Sequence, residues 1–358
     1  MTANTTNSTS STNTTSSTCR TFQTAPAAVP RDDTAKYLRS GLTAEGFQAP
    51  DWLVPDLEDG TAPDMKSEGL ENVCDLVPDH DFPGEIWPRV QWSYDDEGFR
   101  EQGRREIDTL LAELGTKIDG VVVPKVGRRA DVERALTAVA DAESDAGLQD
   151  GSIGLSVIVE TARARSDLRE IARLGADSRL TALVFGPVDY TAELGGRDLG
   201  DGRPQWDGLL EAMSNEASAN DLLAIGGPFD DLFRERAGVT IYNADGYADQ
   251  VEREARIGLD GSWSLYPKQT IQANRIHMPT ATELERDVHR IEAFNEAKAA
   301  GTGAVTIDGQ MVDEATFKNF RNTVETVRAI HRTRPEQTTE LYDDGVLERA
   351  LDLDVSYR

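Results

Sequence analysis

Eight short apolar runs, separated by longer stretches of helical periodicity, constrain the fold of this chain more than any other feature. The runs lie near residues 21–24, 52–55, 85–90, 120–123, 155–159, 182–185, 222–225 and 262–265. Most are continuously apolar, as strands buried on both faces must be. Between them, segments such as 131–143, 163–174 and 247–257 place apolar residues three or four apart with charge on the opposite side. Eight such units in about 250 residues predict an α/β fold of the (β/α)8 TIM-barrel type. No Gly-rich dinucleotide fingerprint follows the first run, which argues against an open doubly wound sheet.

Beyond the eighth run come a helix-like stretch at 281–300, a Gly-Thr-Gly turn at 301–303, and a second helix reaching about residue 333. This C-terminal helical lid extension has no place inside a barrel and should pack over its own mouth or a neighbour's. The expected organisation is a disordered Ser/Thr/Asn-rich tail over 1–18, the barrel over 19–278, the lid over 279–334 and an acidic C-terminal tail over 335–358.

Acidic residues number 64 against 37 basic ones, a formal charge of −27 spread along the helical segments. Such a surface repels nucleic acid and anionic membranes, and suits a salt-adapted cytoplasm in which salt screens self-repulsion. No stretch approaches the ~20 apolar residues that span a bilayer, and the N-terminus lacks a signal peptide's basic and apolar blocks. Cys19 and Cys74 cannot build a disulfide framework. A cytoplasmic location is the expectation.

In a TIM barrel the reactive groups come from the C-terminal ends of the strands. Charged residues end five consecutive runs here: Asp56, Glu58 and Asp59 after the second, Arg89 after the third, Lys125 after the fourth, Glu160 after the fifth and Asp189 after the sixth. Glu160 and Asp189 would reach one cation from adjacent strands. Two carboxylates without a nearby His or Cys suit a hard, oxygen-liganded ion such as Mg²⁺, with Mn²⁺ as a substitute. The four histidines fall outside the strand ends, so neither a His-based triad nor a zinc cage is supported. Arg89 suits a carboxylate or oxyanion clamp, or equally a structural ion pair with Asp56 or Glu58. Lys125 could be a Schiff-base nucleophile.

At these same residues the chain resembles the citrate lyase β-subunit and malyl-CoA lyase superfamily. The marks are Asp56-Leu57-Glu58-Asp59 with Ala62-Pro63 and Lys66, then Pro124-Lys125-Val126, Val159-Glu160-Thr161-Ala162 and Gly186 to Asp189. Further on come Gly227-Pro228-Phe229-Asp230-Asp231, Pro267-Lys268-Gln269 and Gly309-Gln310-Met311-Val312-Asp313. The chain departs from the pattern at Val90-Gln91, Gly226 and Tyr266.

The resemblance implies that Glu160 and Asp189 ligate the metal, that Arg89 clamps substrate, and that Asp313 serves as acid/base in a neighbouring subunit of a homotrimer or homohexamer. It places Asp56, Glu58, Asp59 and Lys125 around the substrate, and acyl-CoA and glyoxylate as partners. Basic residues near the first strand would meet the CoA phosphates, and Arg20 and Lys36 are the candidates by position. The implied reaction is cleavage of malyl-CoA or β-methylmalyl-CoA. A malate synthase and a non-catalytic acyl-CoA-binding subunit remain open as alternatives.

Overall fold

The computed structural model describes residues 18–196, 206–236, 238–307 and 309–356, so nearly all of the expected N-terminal tail lies outside the described residues. All eight apolar runs form strands: β1 (Thr21–Pro26), β2 (Trp52–Asp56), β3 (Glu85–Ile86), β4 (Gly120–Val123), β5 (Gly154–Val159), β6 (Leu180–Phe185), β7 (Leu223–Ile225) and, after an antiparallel hairpin of β8 (Phe233–Arg236) and β9 (Val239–Tyr242), β10 (Ser262–Ser264). Their pairing is parallel in the orders β10-β1-β2-β3 and β4-β5-β6-β7. Single parallel bridges join these two stretches at both seams, Arg89 to Val122 and Ile225 to Gly261. Every barrel strand therefore has a neighbour on each side, the arrangement of a (β/α)8 barrel. At the first seam Pro88 has no N–H for the ladder, which is why the run 85–90 holds only two residues of regular strand before Arg89 resumes the pairing.

Helices fill the intervals. They are α1 (Lys36–Leu42), α2 (Lys66–Leu76), α3 (Glu97–Leu114), α4 (Arg129–Ala146), α5 (Ala162–Ser166), α6 (Leu168–Ala172), α7 (Pro187–Glu193), α8 (Asp207–Ser218), α9 (Ala244–Ile257) and α10 (Pro267–Ile276). Strand side chains divide between two cores. Phe22, Trp52, Trp87, Ile158, Val184 and Trp263 fill the interior of the ring, while Leu53, Val121, Val157 and Leu183 pack outward against the helices. The segment 163–174, expected as one helix, breaks at Asp167. That residue leaves helical geometry, and its carboxylate accepts the Arg129 N–H at 2.8 Å.

The C-terminal unit comprises α11 (Ala281–Ala299), the hairpin β11 (Val305–Ile307) and β12 (Gln310–Val312), α12 (Glu314–Thr333), α13 (Pro335–Leu341) and α14 (Asp344–Asp352). It has its own core of Leu284, Ile291, Phe294, Phe317, Val324 and Val327. The expected acidic tail is thus two helices, with Tyr342, Leu347 and Ala350 buried against α11 and α12. Nor does the unit pack over its own barrel's mouth. Arg334 donates to the Pro50 carbonyl at 2.9 Å and Gln337 to that of Gly46 at 2.9 Å, both in the segment leading into β2. Its root is therefore at the N-terminal ends of the strands.

A polar chain crosses the outer core beside β7 and β10. A Cβ at position 226 would lie 2.2 Å from the Glu254 carboxyl carbon, so only glycine leaves room for this fully buried acid. Glu254 Oε2 accepts the Ser262 hydroxyl at 2.5 Å, and Ser262 Oγ lies 2.9 Å from His277 Nε2. Burial pushes the Glu254 carboxyl up to about 7, with the Ser262 and Gln250 donors opposing. An acid whose folded pKa exceeds its unfolded one contributes stability below the unfolded value and loses it as pH rises to the folded one. Between pH 4.5 and 7 the wild type should lose on the order of 3 kcal/mol relative to Glu254→Gln, read by urea unfolding at constant salt. Parallel pH profiles for the two proteins would exclude this account.

Candidate active site

Asp56 closes β2 and organises the loop after it. Its carboxylate accepts the Glu58 and Gly60 N–H groups, each at 2.9 Å, and the Thr61 hydroxyl donates to its carbonyl at 2.6 Å. From below, the Lys66 amine donates to the Leu57 and Glu58 carbonyls at 3.0 and 2.7 Å. Arg89 lies against this loop in a fork, Nε to Asp56 Oδ1 at 2.8 Å and Nη2 to Oδ2 at 2.5 Å, with Nη1 3.2 Å from Glu58 Oε2. Burial works against the guanidinium charge, but Asp56, Glu58 and Glu160 outweigh it and raise the Arg89 pKa. A group this strongly held stays cationic throughout the working pH range.

Lys125, after β4, has a left-handed backbone with φ of 49°, which costs a non-glycine residue about 1 kcal/mol. In this conformation its N–H points at Glu160 Oε1, 2.7 Å away. Its amine meets Glu58 and, at 3.0 Å, Asp59 Oδ2. Burial lowers the Lys125 pKa, yet Glu58 and Asp59 raise it further than burial depresses it. The amine is thus held as a cation, which removes the Schiff-base role, since that chemistry needs a free amine.

Glu160 follows β5 and is buried; Asp189 sits one strand over, in the first turn of α7 after β6. Burial first, then the Asp189 charge, pushes the Glu160 carboxyl up to about 8 despite Arg89 and the Lys125 N–H. Ionising Glu160 beside Asp189 is therefore unfavourable unless a cation joins them. Among the described residues no three His, Cys, Asp or Glu side chains gather as a metal site. Two carboxylates with oxygen donors only fit Mg²⁺, which completes its shell with water and substrate oxygens. Gly186 makes the approach possible, because a Cβ there would lie 2.3 Å from Glu160 Oε2 and 2.6 Å from its Cβ.

The remaining expected site residues separate. Arg20 does not reach the mouth: it precedes β1, is buried, and forks onto Asp51 at 2.7 and 2.8 Å, so its guanidinium is taken up at the opposite end of the barrel. Lys36 begins α1 on the mouth side and is exposed, with its amine 6.0 Å above the Tyr37 ring and Arg31 5.7 Å from the same ring. Arg31 escaped the sequence reading because its loop carries no apolar register. Asp313 caps α12, accepting the Ala315 and Thr316 N–H groups at 3.1 and 3.0 Å. Hydrogen bonds from Thr316 lower its pKa, so the exposed carboxylate stands ionised.

Known proteins share the sequence and fold of this chain. Residues 41–264 match a family model described as HpcH/HpaI aldolase/citrate lyase. The chain is 64% identical to the L-malyl-CoA/β-methylmalyl-CoA lyase of Haloarcula marismortui over 338 residues, covering 94% of this chain and 98% of that relative. It is 32% identical to an apparent malate synthase of the same organism over 427 residues, covering 92% and 96%. A structure of the Haloferax volcanii malate synthase magnesium/glyoxylate complex superposes with a TM-score of 0.68 at 31% identity, covering 94% of this chain and 99% of that one.

Replacing Gly186 by Ala should drive a methyl group into the Glu160 carboxylate. We expect stability to fall by about 1–3 kcal/mol in urea unfolding, as overpacking typically costs, and unchanged stability would show that Glu160 has room to move.

Proposed function

The chain belongs to the HpcH/HpaI aldolase/citrate lyase family, and from this premise we propose that it cleaves L-malyl-CoA and β-methylmalyl-CoA reversibly to glyoxylate and acetyl-CoA or propionyl-CoA. The protein is a carbon–carbon lyase. The observation that carries the site assignment is the buried, under-neutralised Glu160 next to Asp189 at the mouth, with Arg89 fixed beside it. The 64% identity to a lyase of that name supports the substrate class. The synthase alignment spans 427 residues, more than the 358 of this whole chain, so that relative carries segments without a counterpart here. This favours the lyase over a malate synthase.

Glu160 and Asp189 would hold Mg²⁺, which supplies Lewis-acid polarisation of the substrate's carboxylate and the oxygen that becomes the aldehyde. In cleavage the hydroxyl proton passes to solvent, the carbon–carbon bond breaks, and its electron pair moves into the CoA thioester as an enolate. Arg89 faces that developing negative charge with a cation already oriented by Asp56 and Glu58, so little reorganisation is needed. The enolate carbon then takes a proton through Asp313 of a neighbouring copy, whose ionised carboxylate must first take one up from solvent. In condensation the same carboxylate, already ionised, removes that proton from the acyl-CoA. Lys36, with Arg31, lies on the mouth side near β1 as the cationic anchor for CoA phosphates.

Supply in trans follows from where the C-terminal unit is rooted. The Asp313 hydrogen bonds stay within its own cap, and Met311 on the adjoining hairpin is 63% exposed, a side chain suited to covering another copy's mouth. This supports a homo-oligomer, for which the family resemblance implies a homotrimer or homohexamer. Asp313→Asn should lower turnover by roughly 10²–10⁴-fold with CoA-ester binding retained. Mixing that variant with Arg89→Met and allowing subunits to exchange should recover activity, because some sites then combine an intact Arg89 with an intact Asp313. No recovery after demonstrated exchange would place both groups in one chain.

The overall reading is tested by incubating malyl-CoA, β-methylmalyl-CoA and citramalyl-CoA with and without Mg²⁺ and following glyoxylate and free CoA separately. Glyoxylate with acetyl-CoA or propionyl-CoA is the expected result. Release of free CoA and malate would identify a synthase, and no Mg²⁺-dependent turnover, with Asp189→Ala unchanged, would leave a binding subunit.

A further inference from the structure

We propose that Lys125 is a positioning residue whose amine, held by Glu58 and Asp59, keeps its own backbone left-handed so that its N–H fixes Glu160 for the metal. The inference rests on the reading of Glu160 and Asp189 as the Mg²⁺ site. It assigns the acid loop after β2 a part in metal affinity that no direct contact would reveal.

Each polar group of Lys125 goes to a different loop. The N–H serves Glu160 after β5, the carbonyl accepts the Tyr94 N–H at 3.0 Å in the segment after β3, and the amine serves Glu58 and Asp59 after β2. A lysine with φ of 49° is conformationally unfavourable unless its surroundings impose it, and the chain flanking Lys125, Pro124 and Val126, supplies no such constraint at a positive φ. The anchored side chain does. With the backbone so held, one Glu160 oxygen is committed to an N–H and the carboxylate keeps a single orientation. Were the backbone to relax to negative φ, that N–H would turn away and Glu160 would lose its only backbone donor among those described.

A charge-only role makes the opposite prediction. An ammonium at the mouth repels a divalent cation, so on that account deleting it should tighten Mg²⁺ binding by any substitution. Positioning separates substitutions that are electrostatically identical. Glycine adopts a left-handed backbone without help, and alanine does not.

The experiment is Mg²⁺ titration calorimetry on the full-length wild type, Lys125→Gly and Lys125→Ala, with kcat measured against Mg²⁺ concentration. Lys125→Ala should bind Mg²⁺ at least tenfold more weakly, with kcat recovering toward that of Lys125→Gly at saturating Mg²⁺, while Lys125→Gly stays within about threefold of wild type. Lys125→Met, which keeps the aliphatic stem, replaces Lys125→Ala if that chain does not fold, and failure of both beside a folded Lys125→Gly is the same strain read as stability. Equal Mg²⁺ affinities for the Gly and Ala variants, whether tighter, weaker or unchanged, overturn the inference. A wild type that takes up no Mg²⁺, with Asp189→Asn indistinguishable from it, instead overturns the metal reading itself.

Discussion

Burying a carboxylate at the mouth of a barrel is costly unless something repays its lost hydration, and Glu160 is repaid only in part. It receives one backbone N–H and a distant guanidinium, while Asp189 adds charge of the same sign. The neighbouring loops are arranged around this deficit. Arg89 is neutralised by Asp56 and Glu58, and Lys125 by Glu58 and Asp59, so neither side-chain cation is free to swing onto Glu160. The acids after β2 thus do their work by occupying cations.

The same arrangement reconciles the charge of the chain with its anionic substrates. A net charge of −27 repels a CoA ester at long range, and high salt screens that repulsion over a few ångströms of water. At the mouth Arg89 and Lys125 are taken up by the acids after β2, which leaves Arg31 and Lys36, exposed after β1, as cations that an anionic ester can meet. The steering field is weak in salt, so recognition depends on short-range contacts.

Much of this was legible in the sequence. Continuous apolar runs located all eight barrel strands because strands covered on both faces cannot alternate, and the residues ending those runs included Arg89, Glu160 and Asp189. What the sequence hid has physical causes. The left-handed turn at Lys125 is set by contacts to loops 66 residues away, and no local preference announces it. Gly226 reads as a departure from a family pattern until the Glu254 carboxylate is seen filling the space a side chain would need. Arg20 looked well placed because it adjoins β1, but proximity in sequence does not say which end of a strand a residue occupies. The last two helices read as a tail because acidic residues dominate their composition, while Tyr342, Leu347 and Ala350 contribute too few apolar positions to stand out.

The C-terminal unit is a pair of long helices anchored at one end only. At 1.5 Å per residue the 19 residues of α11 extend roughly 28 Å from the root to the hairpin. Helix length then sets how far the hairpin and Asp313 stand from the root. Gain or loss of one turn in α11 and α12 together would leave the core of the arm and the barrel intact, yet carry Asp313 about 5 Å along the axis. On the proposal that Asp313 serves a neighbouring copy, assembly geometry and catalytic geometry are written in the same two helices, and the surface can drift in sequence more easily than the span of that arm can change.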